Sequence, residues 1–128
     1  IQRRMVEAGR LGRKSGQGYY DYRPDSPAAQ PDVDRANAEK IFQRVLVMLM
    51  NEAIEALFLK VASAEDLDLA MTKGVNYPQG LLRWVDQVGA SWVLHALEAL
   101  QAEYAEDRYR PSPLLRRMAA SGASFYKG

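Results

Sequence analysis

The chain has no cysteine and only one histidine, His95. The first absence excludes a disulfide scaffold, a thiolate metal site and a cysteine nucleophile. The second excludes multi-histidine metal sites, so no metal ligand set is assigned. Net charge is almost absent: 17 Lys and Arg stand against 16 Asp and Glu, a formal +1. Such a balance gives no whole-domain field for nucleic acid or a membrane surface. Long apolar runs are missing too. The most apolar stretch, 45–50, is closed by Arg44 before it and Asn51-Glu52 after it, far short of the roughly 20 residues a membrane-spanning helix needs. Arg3-Arg4 lead into no apolar segment, so there is no signal peptide and the expected location is cytoplasmic. The chain opens Ile1-Gln2-Arg3-Arg4 without an initiator Met and is read as a piece excised from a longer protein. What is present suffices for one compact domain: 128 residues, 48% of them hydrophobic, can bury a core of their own.

Basic charge gathers at the start, where Arg3, Arg4, Arg10, Arg13, Lys14 and Arg23 face only Glu7 and Asp21. Residues 10–32 are rich in Gly, Ser, Pro and Gln, with Pro24, Pro27 and Pro31 closely spaced, a composition that bars a helix interior. Asp32 or Asp34 can cap the helix that follows. The run 33–61 holds no Gly or Pro and would be about 43 Å long at 1.5 Å per residue. Its middle, with Ile41, Phe42, Val45, Leu46 and Leu49 among others, is apolar nearly all round, so the helix is expected to be buried on several sides, in a bundle or at a subunit interface.

Ser63 with Asp66 forms a capping-box pattern. The helix it opens carries Leu67, Ala70 and Met71 on one face and is predicted to end at Gly74. Residues 76–80 form a turn, and 81–88 a short helix ended by Gly89. Ser91 is predicted to cap a helix with Trp92, Val93, Ala96, Leu97, Leu100 and Tyr104 inward. Ser112-Pro113 supplies N-cap and first-turn proline for a last helix ended by Gly122. No stretch alternates with period two. The fold class is all-α.

The ends of the chain repeat one another. Ile1-Gln-Arg-Arg-Met-Val-Glu-Ala-Gly9 aligns without a gap on Leu114-Leu-Arg-Arg-Met-Ala-Ala-Ser-Gly122. Gly18-Tyr19-Tyr20 is then echoed, after a shorter interval, by Ser124-Phe125-Tyr126. The pattern reads as a tandem duplication: 1–22 the tail of a first helical copy, 23–31 a linker, 32–128 a second copy.

Few residues offer chemistry. Gly9 to Gly18 invites a phosphate-loop reading, but Arg13 and Ala8 stand where a Walker loop needs glycine. Arg10, Arg13 and Lys14 are left as a basic loop able to touch a phosphate or an acidic partner. His95 lies at the margin of an apolar stripe and is read as a partly buried structural side chain rather than a general base. Glu52 and Glu55, three apart beside Asn51, share a helix face; they are read as a wet polar stripe, with acid–base work as the alternative. Trp84, Trp92, Met48, Met50 and Met71 are assigned to core or interface. Arg108, Tyr109, Arg110, Arg116 and Arg117 do not make a nucleic-acid face, because Glu103, Glu106 and Asp107 stand beside them.

Three ordered motifs carry a family resemblance. Leu11-Gly-Arg-Lys-Ser-Gly-Gln-Gly-Tyr-Tyr-Asp-Tyr22 resembles the segment closing the helical C-terminal domain of 3-hydroxyacyl-CoA dehydrogenases. Glu65-Asp-Leu-Asp-Leu-Ala-Met71, with Gly74, Pro78 and Gly80, is similar to their D-D-A-M … G … P-x-G stretch. Tyr109-Arg-Pro-Ser-Pro-Leu-Leu-Arg-Arg-Met118 resembles their Y-R-P-x-P-L-L-x-x-M stretch. Some bacterial members, resembling 3-hydroxyadipyl- or 3-hydroxybutyryl-CoA dehydrogenases, carry the domain twice. The resemblance implies a helical bundle of the 6-phosphogluconate dehydrogenase C-terminal-domain-like type. It implies a parent enzyme that oxidises 3-hydroxyacyl-CoA to 3-oxoacyl-CoA, with NAD and the catalytic His–Glu pair in an N-terminal Rossmann domain. Catalytic and cofactor-binding residues are then none in this piece, whose partners are that Rossmann domain, the acyl-CoA substrate through the whole enzyme, and a second subunit in a homodimer. The family's substrate-contacting Asn, in an N-R pair, corresponds to Gln43 in Gln43-Arg44, the one substrate-contact candidate. The family's P-x-G-P reads Pro78-Gln-Gly80-Leu81. Both departures imply a copy that packs rather than lines an active site. The alternative is a free-standing helical oligomerisation module.

Overall fold

The computed structural model describes residues 1–27, 30 and 34–126. The chain divides into two units, 1–34 and 35–128. Asp32, one of the two expected helix caps, and Val33, the expected helix start, lie outside the described residues, as does part of the expected linker. Among the described residues all regular structure is helical.

The first unit holds α1 (Gln2–Glu7), a 3-10 turn at Arg13–Ser15 and two isolated bridges, Gly12 to Gln17 and Gln17 to Asp21. The Gly-rich stretch folds on itself. The Ser15 hydroxyl accepts from the Leu11 N–H and donates to the Gln17 carbonyl, both at 2.8 Å. A Cβ on Gly18 would sit 2.7 Å from the Gly12 Cα. These glycines therefore serve close backbone approach rather than a phosphate cradle. Arg23 hydrogen-bonds Asp21 and holds its carboxyl well below the usual range.

The second unit holds α2 (Arg35–Phe58), α3 (Ala64–Leu69), α4 (Leu81–Val88), α5 (Ala90–Tyr104) and α6 (Pro113–Ser121). Its core is one cluster. Leu46, Val47, Met50 and Ile54 of α2 meet Leu82 and Val85 of α4, Val93 and Leu97 of α5, and Leu115 of α6. Their spacing on α2 is a single helical stripe. Within the unit α2 is covered along that stripe and its flanking Leu49, Ala53 and Leu57, not on the several sides expected: Ile41, Phe42 and Val45 are 57%, 49% and 50% exposed.

Local signals set most helix ends. The Ser63 hydroxyl accepts from the Asp66 N–H at 3.1 Å, and the Ser112 hydroxyl from Leu114 at 3.3 Å. Gly89 and Gly122 take positive φ of 90° and 66°, as chain reversal after a helix demands. Two expected helix ends are corrected. The helix after Ser63 does not stop at Gly74 in a left-handed turn. It widens into a π turn over Ala70–Gly74, the Tyr77 N–H donates to the Met71 carbonyl at 3.1 Å, and Asn76 takes the positive φ, 57°. Ser91 is not a cap, because α5 starts directly after Gly89; its hydroxyl donates to the Ala119 carbonyl on α6. Trp92 and Tyr104, expected inward on α5, are 40% and 41% exposed.

Three polar side chains tie the helices together. Asp68, only 5% exposed, accepts from the Leu82 and Arg83 N–H groups at 2.8 and 3.0 Å, capping α4 from another helix. It also accepts from the Tyr126 hydroxyl at 2.9 Å. Asp86 accepts from the Phe125 and Tyr126 N–H groups at 2.8 and 2.9 Å, seating the tail. Asn51, buried in the apolar stripe of α2, donates to the Arg110 carbonyl at 3.1 Å and accepts from the Ser112 N–H at 2.8 Å.

Gly80 is dictated by the first of these. Its φ of −67° suits any residue, but a Cβ there would lie 2.1 Å from the Asp68 Cγ. Gly80→Ala should therefore cost about 2–4 kcal/mol by displacing the capping carboxylate. Lys73→Ala, at the surface, should change stability by under about 0.5 kcal/mol. Urea unfolding reads both, and equal midpoints would refute the clash. Burial first, then the bond to Asp68, raises the Tyr126 phenol above its ordinary value of 10.0. The fold holds the neutral phenol. Its contribution is thus complete below about pH 10 and is lost as pH climbs from there toward the raised folded-state value. Tyr126→Phe, weaker at neutral pH, should show a flatter alkaline loss of stability than the native chain; parallel curves would sink this.

Candidate functional site

The groove beside Gln43 lies between the N-terminal half of α2 and the C-terminal half of α5 and encloses about 590 Å³. Helical spacing explains its two faces. Asn37, Lys40, Gln43 and Arg44 recur along one side of α2 and face Ala96, Ala99, Leu100 and Glu103 of α5. The small Ala96 and Ala99 leave the room. The Gln43 amide is exposed and donates to the Glu39 carboxylate at 3.1 Å.

Arg44 builds the adjacent wall. Its guanidinium donates to the Tyr109 hydroxyl and stacks 4.2 Å from the Tyr104 ring centroid and 5.2 Å from that of Tyr109. The two rings pack at 5.7 Å. Tyr109 is fully buried, in a turn that Asn51 fixes through Arg110 and Ser112. The bond to Tyr109 raises the Arg44 pKa further, so the cation is permanent. The groove thus offers one fixed cation, a lysine, two amides and an apolar floor, with the Glu103 carboxylate on the α5 side. That arrangement can hold a ligand with apolar and anionic parts. It provides no nucleophile with an adjacent base.

Other candidates are placed elsewhere. His95, expected to be partly buried, is exposed on α5. Glu52 is exposed, while Glu55 turns to Arg110 at 3.8 Å, so the two carboxylates form no working pair. Arg108 pairs with Glu106 and Arg116 with Glu98, and Arg117 lies over the Phe58 ring at 5.5 Å. Arg13 lies over Tyr22 at 5.1 Å. Among the described residues no group of three His, Asp or Glu gathers for a metal. Met50 is core, Trp84 packs partly against it, and Trp92 is surface.

A second surface joins Phe42, Val45 and Leu49 of α2 to Tyr77, Pro78 and Trp84 around an apolar hollow of about 350 Å³, with the Phe42 and Trp84 rings 6.2 Å apart. The roles of Asn51 and Asp68 went unread in the sequence. Asn51 did carry a signal, since it falls four after Val47 and three before Ile54 on the buried stripe. A polar residue there must find partners.

Comparison with known proteins fits this architecture. Residues 41–127 match the family model of the 3-hydroxyacyl-CoA dehydrogenase C-terminal domain. The 3-hydroxyadipyl-CoA dehydrogenase of Escherichia coli (strain K12) is 51% identical over 76 residues, covering 59% of this chain and 16% of that protein. The fatty acid oxidation complex subunit alpha of Shewanella frigidimarina (strain NCIMB 400) is 31% identical over 141 residues, covering 97% of this chain and 20% of that protein. The crystal structure of 3-hydroxybutyryl-CoA dehydrogenase from Escherichia coli K12 superimposes with a TM-score of 0.76 at 28% identity, over 94% of this chain and 44% of that one. The chain therefore spans less than half the length of each of these relatives. With most of its length matched by the family model, the chain belongs to the family of 3-hydroxyacyl-CoA dehydrogenase C-terminal domains.

Proposed function

We propose that this chain is the helical scaffold of a longer NAD-dependent 3-hydroxyacyl-CoA dehydrogenase, in which it packs and covers while a preceding Rossmann domain carries out the chemistry. The family match over 41–127 carries this reading. NAD and the catalytic His–Glu pair are assigned to that preceding domain, as the family resemblance implies. The parent enzyme oxidises a 3-hydroxyacyl-CoA to the 3-oxoacyl-CoA by hydride transfer to NAD, in the cytoplasm. Residues 1–22 are the tail of a first helical copy, 23–31 a linker and 32–128 the second copy.

In this reading Gln43 stands where the family's substrate Asn stands but reaches one methylene further, and the copy it sits on packs rather than lines an active site. The isolated chain should give no turnover of acetoacetyl-CoA with NADH, whereas the longer enzyme should. Robust turnover by the chain alone would overturn the assignment. In the longer enzyme Gln43→Ala should leave kcat/KM within about twofold. A tenfold rise in KM at constant kcat, about 1.4 kcal/mol of lost uniform binding, would instead make Gln43 a substrate contact.

The exposed Ile41–Phe42–Val45 face is read as the homodimer surface. A free-standing oligomerisation module would use the same face, and the sequence upstream of Ile1 separates the two readings. Sedimentation of the chain should show a dimer, and Phe42→Glu should return a helical monomer. A native chain that stays monomeric at high concentration would refute the interface.

A further inference from the structure

The basic loop of the first unit has no counterpart in the repeated end of the chain. Ala123 alone stands between Gly122 and Ser124, whereas the eight residues 10–17 separate Gly9 from Gly18, three of them cationic and none acidic. The bundle seats its own tail on Asp86 without any such loop, so the packing of a copy does not require it. The loop is nonetheless stiffly built. The Ser15 hydroxyl bridges the Leu11 N–H and the Gln17 carbonyl, and the Gly12 N–H donates to that carbonyl at 2.9 Å. The acids beside it are already engaged, Glu7 by Arg3 at 3.0 Å and Asp21 by Arg23. Arg10 and Lys14 pair with no carboxylate among the described residues. These two cations, with Met5, Leu11, Tyr19 and Tyr22, line an open hollow of about 570 Å³ that no Asp or Glu among the described residues lines. The Tyr22 ring is engaged by the Arg13 guanidinium at 5.1 Å and edge-on by Tyr20 at 6.4 Å. The Tyr19 ring is 70% exposed and has no ring or cation against it among the described residues. Two unopposed cations on a stiff loop beside an open aromatic face, in a concavity of ligand size, are the chemistry that recognises phosphates carrying a planar base.

We propose that this hollow binds the adenosine 5′-diphosphate unit that coenzyme A and NAD share, with Arg10 and Lys14 on the phosphates and the adenine stacked on Tyr19. Side chains supply this anion site, because the loop glycines serve close backbone approach. A stiff loop holds the cations in place before the ligand arrives, which lowers the cost of binding. The assignment rests on the reading of a parent enzyme that handles both molecules, and it names the part of them that the first unit takes. Coenzyme A carries a further phosphate on its ribose, so two cations favour its end over that of NAD. The groove beside Gln43 offers no equivalent, since its Arg44 is bound to Tyr109 and Glu103 stands on its other side.

Calorimetric titration of the full chain at low salt, with ADP, coenzyme A, NADH and inorganic pyrophosphate, tests this. ADP should saturate one site, and pyrophosphate, which lacks the base, should bind about tenfold more weakly. Coenzyme A should bind severalfold more tightly than NADH; the reverse order would support the site and name NAD as its source. Arg10→Gln with Lys14→Gln should weaken ADP about tenfold or more. Tyr19→Ala should weaken ADP severalfold while leaving pyrophosphate unchanged, a split that a loss of loop structure would not give. Arg4→Gln removes a cation outside the hollow and should leave ADP binding within about twofold. No ADP binding, pyrophosphate as tight as ADP, or an equal loss in Arg4→Gln would each overturn the site. Turnover of acetoacetyl-CoA by the longer enzyme with no ADP binding here overturns the hollow alone. ADP binding here without turnover there overturns the dehydrogenase reading alone.

Discussion

A charge buried at the join of three elements governs the second unit. Asp68 has almost no access to water, and no arginine or lysine among the described residues forms an ion pair with it. An isolated buried carboxylate is prohibitively costly, so its solvation must come from the protein. It comes from the exposed N–H groups at the start of α4, which has no side-chain cap of its own, and from the Tyr126 hydroxyl. Carboxylate and helix dipole satisfy one another. Everything around this point follows. Gly80 must lack a Cβ, α3 must lie against the start of α4, and the tail must return across both. The Arg83 guanidinium, 4.1 Å over the Tyr126 ring, closes the outer side.

Asn51 performs the complementary task with a neutral group. Its position demands one donor and one acceptor, because it faces a carbonyl at Arg110 and an N–H at Ser112. An amide meets both, whereas a carboxylate would set a charge against the carbonyl. The consequence reaches the surface. Fixing residues 110–112 buries Tyr109, Tyr109 holds Arg44, and Arg44 walls the groove next to Gln43. The groove is thus shaped by a side chain that does not line it.

What could be read in advance was what is local. Ser63, Ser112, Gly89 and Gly122 act within four residues of themselves, so their helix ends were legible. Gly74 misled because the π turn moved the left-handed residue on to Asn76, and Ser91 misled because α5 reached it before it could cap. The Asp68 cap joins residues 14 and 58 apart in sequence, where spacing carries no signal. His95 lies beyond the edge of the apolar stripe of α5, which is narrower than its sequence pattern suggests, and the outward half of α2 has no cover within the unit despite its apolar composition.

The motifs that carried the family resemblance turn out to be the residues that hold the bundle. Asp68 and Gly80 belong to one, and Tyr109 and Ser112 to another; the loop Leu11–Gly18 is held by Ser15 and a glycine contact. They mark the fold, because a bundle without its caps does not form. Gln43 stands under a different constraint. It is exposed, bonded only to Glu39, and no core contact fixes its length. A substitution there costs the fold under about 0.5 kcal/mol. Position 43 is thus open to change at little cost to the bundle, whereas Asp68, Gly80 and Asn51 are each fixed by partners that accept no other side chain.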